Sequence, residues 1–340
     1  MRAAVITENR TLAIVDRPAA SPAPDSVRIR VAFCGICGTD LHVRVAESFV
    51  GNDVAGMVLG HEFAGTIVEV GADVDGWTVG DRVAGWPCIP CGVCELCIAG
   101  QVQVCQEKIG NGVGTGGPDG ALAEFVDVRA DRVFALPDTL SDEHAALAEP
   151  LATALRAVRQ GEVGPGDRVA VIGAGPVGLM TALALRATGT DDVLVVEVND
   201  GRAEAAREFG FRTCRPEELA DQASAVLGGA PTVIFECAGH ESALPLAIDT
   251  AHPLGRIVAV GVLFETVAIS SLAIIGKELR IIGSYAHTTQ DFANAIELLA
   301  ARSIPADRLI TGRVALEDAT RAFDELVDPA TSHIKILLHP

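Results

Sequence analysis

The sequence predicts an α/β protein in two parts: a β-rich head, then a parallel sheet with helices on both faces. Three observations carry that expectation. The chain has 340 residues, beyond the size at which a single core usually splits into domains. Near residue 150 the pattern changes, from short strands broken by Gly and Pro to short apolar strands alternating with helical stretches. The third observation is a glycine-rich turn, Gly173-Ala-Gly175-Pro-Val-Gly178, set between an apolar strand and a helix.

The elements follow in order. In the head, Val27–Ala32, Phe63–Val70 and Arg82–Ala84 read as strands. In the middle, the strands are Arg168–Ile172, Val193–Val198, Thr232–Glu236, Arg256–Val260 and Leu279–Ile282, with a helix over Leu179–Ala187. Near-continuous apolar strands alternating with helices imply a parallel sheet covered on both faces. After residue 285, Phe292, Ala295, Ile296, Leu299 and Ala300 keep an i, i+3, i+4, i+7, i+8 spacing, and Ala319, Ala322, Phe323, Leu326 and Val327 repeat it, so each set predicts an amphipathic helix. A final strand, Ile334–Leu338, closes the chain. The expected parts are 1–152, 153–287 and a tail, 288–340, that returns to the head.

Composition sets the bounds. Hydrophobic residues make up 49% and glycines number 35, as in a well-packed α/β protein. No apolar run approaches the ~20 residues that span a bilayer. A net charge of −19 argues against nucleic acid or anionic membranes as partners. The N-terminal stretch MRAAVITENR lacks a hydrophobic signal segment, and nine cysteines are an odd number, so a reducing cytoplasm is expected rather than a disulfide framework.

Four of those cysteines, Cys91, Cys94, Cys97 and Cys105, have the spacing C-x2-C-x2-C-x7-C. Four thiolates so close in sequence close a tetrahedral Zn2+ site, and a loop with little core of its own needs such a metal to hold it. An iron–sulfur cluster is the rival reading. Ferredoxin-type runs have a shorter last spacer and a Pro after the last Cys, whereas here Gln106 follows Cys105. Cys88 is a spare thiol next door.

The glycine turn is the fingerprint of a dinucleotide site. Gly173 allows the tight turn, Gly175 lets the backbone approach a pyrophosphate, and Gly178 lets the helix pack on the strand. Pro176 and Val177 open the helix, whose free N–H groups and positive dipole end suit phosphates. Glu197 ends the next strand, roughly 20 residues on, where a carboxylate accepts ribose hydroxyls and repels a 2′-phosphate. NAD is therefore expected. Arg202 keeps NADP as the alternative.

A second metal site is harder to read. Cys37 lies in Cys34-Gly-Ile-Cys37-Gly-Thr39-Asp40-Leu-His42, His61 and Glu62 in Gly60-His61-Glu62-Phe63, and Glu149 in Ala148-Glu149-Pro150. One thiolate, one imidazole and one or two carboxylates suit an open zinc site that leaves a position for substrate. Spacing alone does not join residues 37, 61 and 149, and a lone histidine is more often structural.

Over essentially its whole length the chain resembles the zinc-dependent medium-chain alcohol dehydrogenases, nearest the polyol and 2,3-butanediol dehydrogenases. The pieces that match are GICGTDLH, GHEFAGTIVEVG, VGDRVA, the four-cysteine lobe, AEPLATALRAV, VIGAGPVGL, VVEVNDGR, IFECAG, GSYAHTTQDF and HIKILL. The resemblance implies a GroES-like β-rich catalytic domain and a Rossmann-type coenzyme domain. It implies two zinc ions per chain: a structural one on the four cysteines, and a catalytic one on Cys37, His61 and Glu149, with Glu62 as alternating or supporting ligand. Glu149 stands where liver-type relatives use cysteine. By the same resemblance Thr39 bonds the substrate oxygen and His42 relays its proton to solvent, the stretch Val43–Met57 lines the outer pocket, and the chain forms a homodimer or homotetramer through the coenzyme-domain sheet edge near Arg256–Val260. The implied reaction is reversible hydride transfer between a small secondary alcohol, diol or polyol and NAD. Competing readings are an NADP-preferring reductase and a zinc-free quinone-reductase-like protein on the same fold.

Overall fold

The protein is described by a computed structural model covering residues 1–18, 21–49, 51–107, 111–328 and 330–340. Val50, within the stretch expected to line the outer pocket, lies outside the described residues. The chain divides into two compact units. One comprises Met1–Glu149, Thr288–Asp328 and Lys335–Pro340, the other Pro150–His287 and Pro329–Ile334.

The first unit is built on a seven-stranded sheet. Its path runs Ile310–Ala315, Lys335–His339, Ser26–Gly35, Glu62–Val70, Arg82–Gly85 and Val133–Ala135, with Phe125–Arg129 pairing against Ser26–Gly35. Ile29, Phe63, Ile67, Val83, Leu122, Phe323 and Leu338 are among the residues of its core. The two amphipathic stretches are helices, Thr289–Ala300 and Ala319–Val327; the first buries Phe292, Ala295, Ile296 and Leu299, and the second buries Ala319, Ala322 and Phe323, while Leu326 is half-buried and Val327, expected on the same face at the helix end, is 51% exposed. Thr288 caps the first, its hydroxyl accepting the Asp291 N–H while the Asp291 carboxylate accepts the Thr288 N–H.

Register in this sheet decides which residues meet at one end. Gly35 pairs with Glu62 and with Leu337, and Cys34 pairs with Phe63 and Leu338. The last residues of one strand, the first of a second and the start of a third therefore converge. Cys37, His61, Glu62 and Lys335 all lie within two residues of that point.

The second unit holds a six-stranded, all-parallel sheet in the order Arg212–Cys214, Val193–Val196, Val169–Ile172, Val233–Glu236, Arg256–Ala259, Arg280–Gly283. Strand order reverses at Val169–Ile172, whose neighbours are the second and fourth strands of the unit. Ligands in open α/β sheets bind outside the carboxyl ends of strands at such a point. The edge strands are Arg212–Cys214 and Arg280–Gly283, which corrects the expectation that the sheet edge lies near Arg256–Val260: that strand is paired on both sides. Arg212–Cys214 and Ile310–Ala315 are absent from the sequence reading. The former is only three residues long; the latter contains Gly312 and Arg313 and a register shift, which obscure its period. Among the described residues no helix is long and apolar enough to cross a membrane.

Candidate active site and dinucleotide loop

Cys37 is the N-cap of the helix Gly38–Val45, and the sequence Cys-Gly-Thr-Asp puts a carboxylate where it can fold back on the cap. One oxygen of Asp40 accepts the Cys37 N–H at 2.9 Å. The other accepts the Gly60 N–H at 3.2 Å and faces His61 Nδ1 at 3.4 Å. Asp40 is fully buried. One carboxylate thus ties the Cys37 segment to the His61 segment across a gap of more than twenty residues. With Nδ1 turned to Asp40, Nε2 is the ring nitrogen left for a metal.

Three donor atoms, from Cys37, His61 and Glu62, lie within 4.8 Å of one another. Glu149 is not in that group. It stands in the first turn of the helix Ala148–Gly161, buried, and the charges that act on it are those of His61, Glu62, Lys335 and Asp40. Burial pushes its carboxyl up to about 7, with Glu62 and Asp40 adding to the rise and His61 and Lys335 opposing it. His61 is subject to opposite pulls. Burial disfavours its cation, but Asp40 and Cys37 outweigh burial and hold its pKa well above the ordinary value. A thiolate, an imidazole and a carboxylate gathered in a buried niche are a donor set that fits zinc.

Glu62 has a partner that the sequence reading missed. Lys335 Nζ lies 2.8 and 2.7 Å from its two oxygens and 2.8 Å from the Ile36 carbonyl, with both side chains about 1% exposed. Gly35 makes room for the pair, since a Cβ there would sit 2.1 Å from Glu62 Oε2. The signal was a lysine inside the apolar run HIKILL: a buried cation requires a paired anion. Asp40 was legible in the same way, as the carboxylate three residues after a helix cap.

Thr39 and His42 lie three residues apart on the helix Gly38–Val45, a spacing that puts two side chains on one helix face. Thr39 is half-buried and His42 exposed. Cys34 is buried with its Sγ over Gly60, whose φ of +96° a side chain would not tolerate.

The four-cysteine lobe forms a second, separate cluster with all its sulfurs within 4.8 Å. Cys91 and Cys97 sulfurs are 3.9 Å apart, and those of Cys94 and Cys105 are 4.0 Å apart. A tetrahedral site with Zn–S bonds of 2.3 Å separates its sulfurs by about 3.8 Å. Backbone N–H groups of Val93 and Cys94 point at Cys91 Sγ, and that of Cys91 points at Cys105 Sγ. N–H groups of Cys97 and Gln106 bring the Cys94 thiol down to about 6. The lobe fits a closed zinc site with no position for substrate.

In the second unit the glycine turn has the geometry its residues require. Gly173 has φ +98°, and a Cβ on Gly178 would lie 1.9 Å from the Gly173 carbonyl oxygen. Gly175 caps the helix Pro176–Ala187, with Pro176 at its first position and Val177 next. Glu197 is turned inward: Oε2 accepts the Ala174 N–H at 2.7 Å, and Oε1 accepts those of Val198 and Asn199 at 2.7 and 2.8 Å. Arg202 lies on the helix Asp200–Glu208, which Asn199 caps, and its Nε is buried without a hydrogen-bond partner. Arg215 pairs with Asp200 and bonds the Val198 carbonyl.

The chain is similar to known proteins over its whole length. Residues 23–138 match the alcohol dehydrogenase GroES-like domain, and residues 176–301 match the zinc-binding dehydrogenase domain. The chain is 32% identical to sorbitol dehydrogenase of Bacillus subtilis, over 100% of this chain and 97% of that one. It superposes on 2R,3R-butanediol dehydrogenase from Bacillus subtilis with a TM-score of 0.90 and 32% identity, over 100% and 99% of the two chains. It superposes equally on a Sinorhizobium meliloti 1021 protein bound to NADP, with TM-score 0.90, 32% identity and 100% and 99% coverage.

Two expectations follow. Zinc bound by His61 and Glu149 would compete with protons, whose binding is favoured by the raised pKa of His61 and by burial that pushes the Glu149 carboxyl up to about 7. Zinc affinity of the Cys37 site, measured by competition with a chromophoric chelator, therefore falls by about tenfold per pH unit for each proton displaced as pH drops through 7; a flat profile between pH 6 and 8 contradicts this. Lys335→Met leaves Glu62 an uncompensated buried charge and costs about 3–5 kcal/mol in denaturant unfolding. The double variant Lys335→Met/Glu62→Gln regains most of that loss, and a double variant as unstable as the single one contradicts the pairing.

Proposed function

This chain belongs to the zinc-binding alcohol dehydrogenase family, on the branch of the polyol and butanediol dehydrogenases, and from that premise we propose that it is an NAD-dependent enzyme interconverting a secondary alcohol, diol or polyol with its ketone. The observation that carries the reading is the meeting of Cys37, His61 and Glu62, with Glu149 within the charges of His61 and Glu62, apart from a closed four-thiolate lobe. Cys37, His61 and Glu149 would hold the catalytic zinc. Zinc there would supply Lewis acidity, lowering the pKa of a hydroxyl it polarises as it lowers that of water to about 7. NAD supplies the hydride acceptor.

The chain's own residues do the rest. Asp40 orients the His61 ring and fixes the Cys37 backbone. Lys335 holds the Glu62 carboxylate with both oxygens engaged, so that Glu62 serves as supporting carboxylate while Glu149 takes the ligand position. The Thr39 hydroxyl would accept the substrate's proton while giving up its own toward His42, which, exposed on the same helix face, would pass a proton to solvent. Overall, the substrate would lose a hydride to the acceptor that NAD supplies and a proton to water.

Glu197 favours NAD because its fixed carboxylate repels a 2′-phosphate. Three backbone N–H groups already occupy it, so its discrimination rests on charge more than on hydrogen bonds to the ribose. An NADP reading is favoured by Arg202, whose Nε is unbonded, and by the NADP-bound relative. Within Val43–Met57 there is one aromatic residue, Phe49, and no obvious charge pair for a phosphorylated sugar, which favours a neutral alcohol. The intact donor sets argue against a zinc-free reductase.

Initial rates with NAD and NADP against butanediols, sorbitol and xylitol test the reading. We expect turnover of a secondary alcohol with kcat/KM at least about tenfold higher for NAD, and a loss of about 10²–10⁴ in kcat for Thr39→Val. No turnover with either cofactor defeats the proposal, and preference for NADP defeats its cofactor part.

We propose further that the partner is a second copy of the chain, at the edge strand Arg280–Gly283. Leu272 and Ile275, on the helix before it, are 77% and 71% exposed, and Ile281 on the strand is 39% exposed. An unpaired, apolar edge is a template for another strand. Light scattering should give a dimer or a tetramer, and Ile281→Lys with Ile275→Lys a smaller species; a monomeric parent protein contradicts this.

A further inference from the structure

The mechanism leaves one buried acid in the second unit without a task. Glu236 ends the strand Val233–Glu236, is 4% exposed, and pairs in register with Ile172, the residue before the glycine turn. Its Oε1 accepts two backbone N–H groups, those of Ala238 and Gly239, each at 2.8 Å. Among the described residues no other group bonds those two donors.

The turn that Glu236 fixes is the wall of the dinucleotide loop. A Cβ on Gly173 would lie 3.0 Å from both the Cα and the N of Ala238. A Cβ on Gly178 would lie 3.4 Å from the Cβ of Cys237, whose N–H donates to the Ile172 carbonyl. On its other side the turn is hemmed in by Gly261, where a Cβ would come within 2.2 Å of the Gly239 nitrogen. Two glycines of the fingerprint thus close against residues 237–239. Glu197 mirrors the arrangement from the opposite flanking strand, gripping Ala174 directly. Without Glu236 the Ala238 and Gly239 N–H groups would lose their acceptor, and unsatisfied donors reshape a turn rather than stay unpaired.

We propose that Glu236 is a positioning residue for the coenzyme: it sets the height of the turn against which Gly173-Ala174-Gly175 closes, and so the placement of the loop's N–H groups on the pyrophosphate. The inference rests on the dinucleotide reading above. Burial holds the Glu236 carboxyl above its ordinary pKa, against the pull of the two N–H groups, so a neutral acceptor of the same shape suits the position.

The test uses the zinc-loaded full chain. NADH and NADPH dissociation constants are measured by fluorescence titration for the parent protein, Glu236→Gln and Glu236→Ala, together with kcat, the alcohol KM at saturating coenzyme, zinc content and thermal midpoint. In Glu236→Ala the coenzyme dissociation constant rises about tenfold, while kcat, alcohol KM and zinc content stay within twofold. In Glu236→Gln, whose amide oxygen accepts the same two bonds, it stays within about twofold of the parent. If the parent binds a coenzyme and Glu236→Ala binds it as tightly, or if Glu236→Gln is as impaired as Glu236→Ala, the positioning role is wrong. If Glu236→Ala loses kcat, zinc and coenzyme affinity together, the residue is merely structural and the proposal fails. A parent chain that binds neither coenzyme overturns the dinucleotide reading itself, and this inference with it.

Discussion

The buried carboxylate of Asp40 is the constraint on which the candidate site depends. It bonds the Cys37 and Gly60 N–H groups and faces the His61 ring. The elements it joins are neighbours only because the strand Ser26–Gly35 ends where Glu62–Val70 begins. Hydrogen bonds to a charged group contribute about 1.5–3 kcal/mol each. Two such bonds hold both metal-donor segments against loop entropy before any metal arrives. Around it, Lys335 pairs with Glu62, and burial pushes the Glu149 carboxyl up to about 7.

Close approach is the second theme, and glycines permit it. Gly35 admits the Glu62 carboxylate and its lysine, Gly60 lets the loop lie over Cys34, and Gly178 lets a helix seat on the Gly173 carbonyl. At each place a methyl group would fall inside the contact distance of a neighbouring atom. The two zinc-fitting clusters divide the work by chemistry. Four thiolates, held by backbone N–H groups at tetrahedral spacing, close a coordination sphere, whereas a mixed sulfur, nitrogen and oxygen set can leave it open.

Much of this was legible in the sequence. The parallel sheet, the glycine turn and both amphipathic helices follow from local periodicity, because each is a property of neighbouring residues. The four-cysteine lobe is equally local. The Cys37–His61–Glu62 meeting is not, since register between distant strands brings it about, and only resemblance to a family joined those residues beforehand. The Lys335–Glu62 pair spans most of the chain, which is why a lysine in an apolar strand had no visible partner. The sheet edge was misplaced for a related reason: strand order is a three-dimensional property, and Arg280–Gly283 reads from sequence much as Arg256–Ala259 does. Glu197 was found by its position, but its inward turn onto Ala174, Val198 and Asn199 depends on backbone N–H groups that a sequence does not display.

Metal stoichiometry is the most direct test of the central claim, that residues separated by more than a hundred positions form one open zinc site beside a closed one. Elemental analysis by mass spectrometry on the purified chain should give two zinc ions. Cys37→Ser should retain one zinc, on the four cysteines, and lose turnover. A Cys37→Ser protein with two zinc ions and full activity would contradict the account.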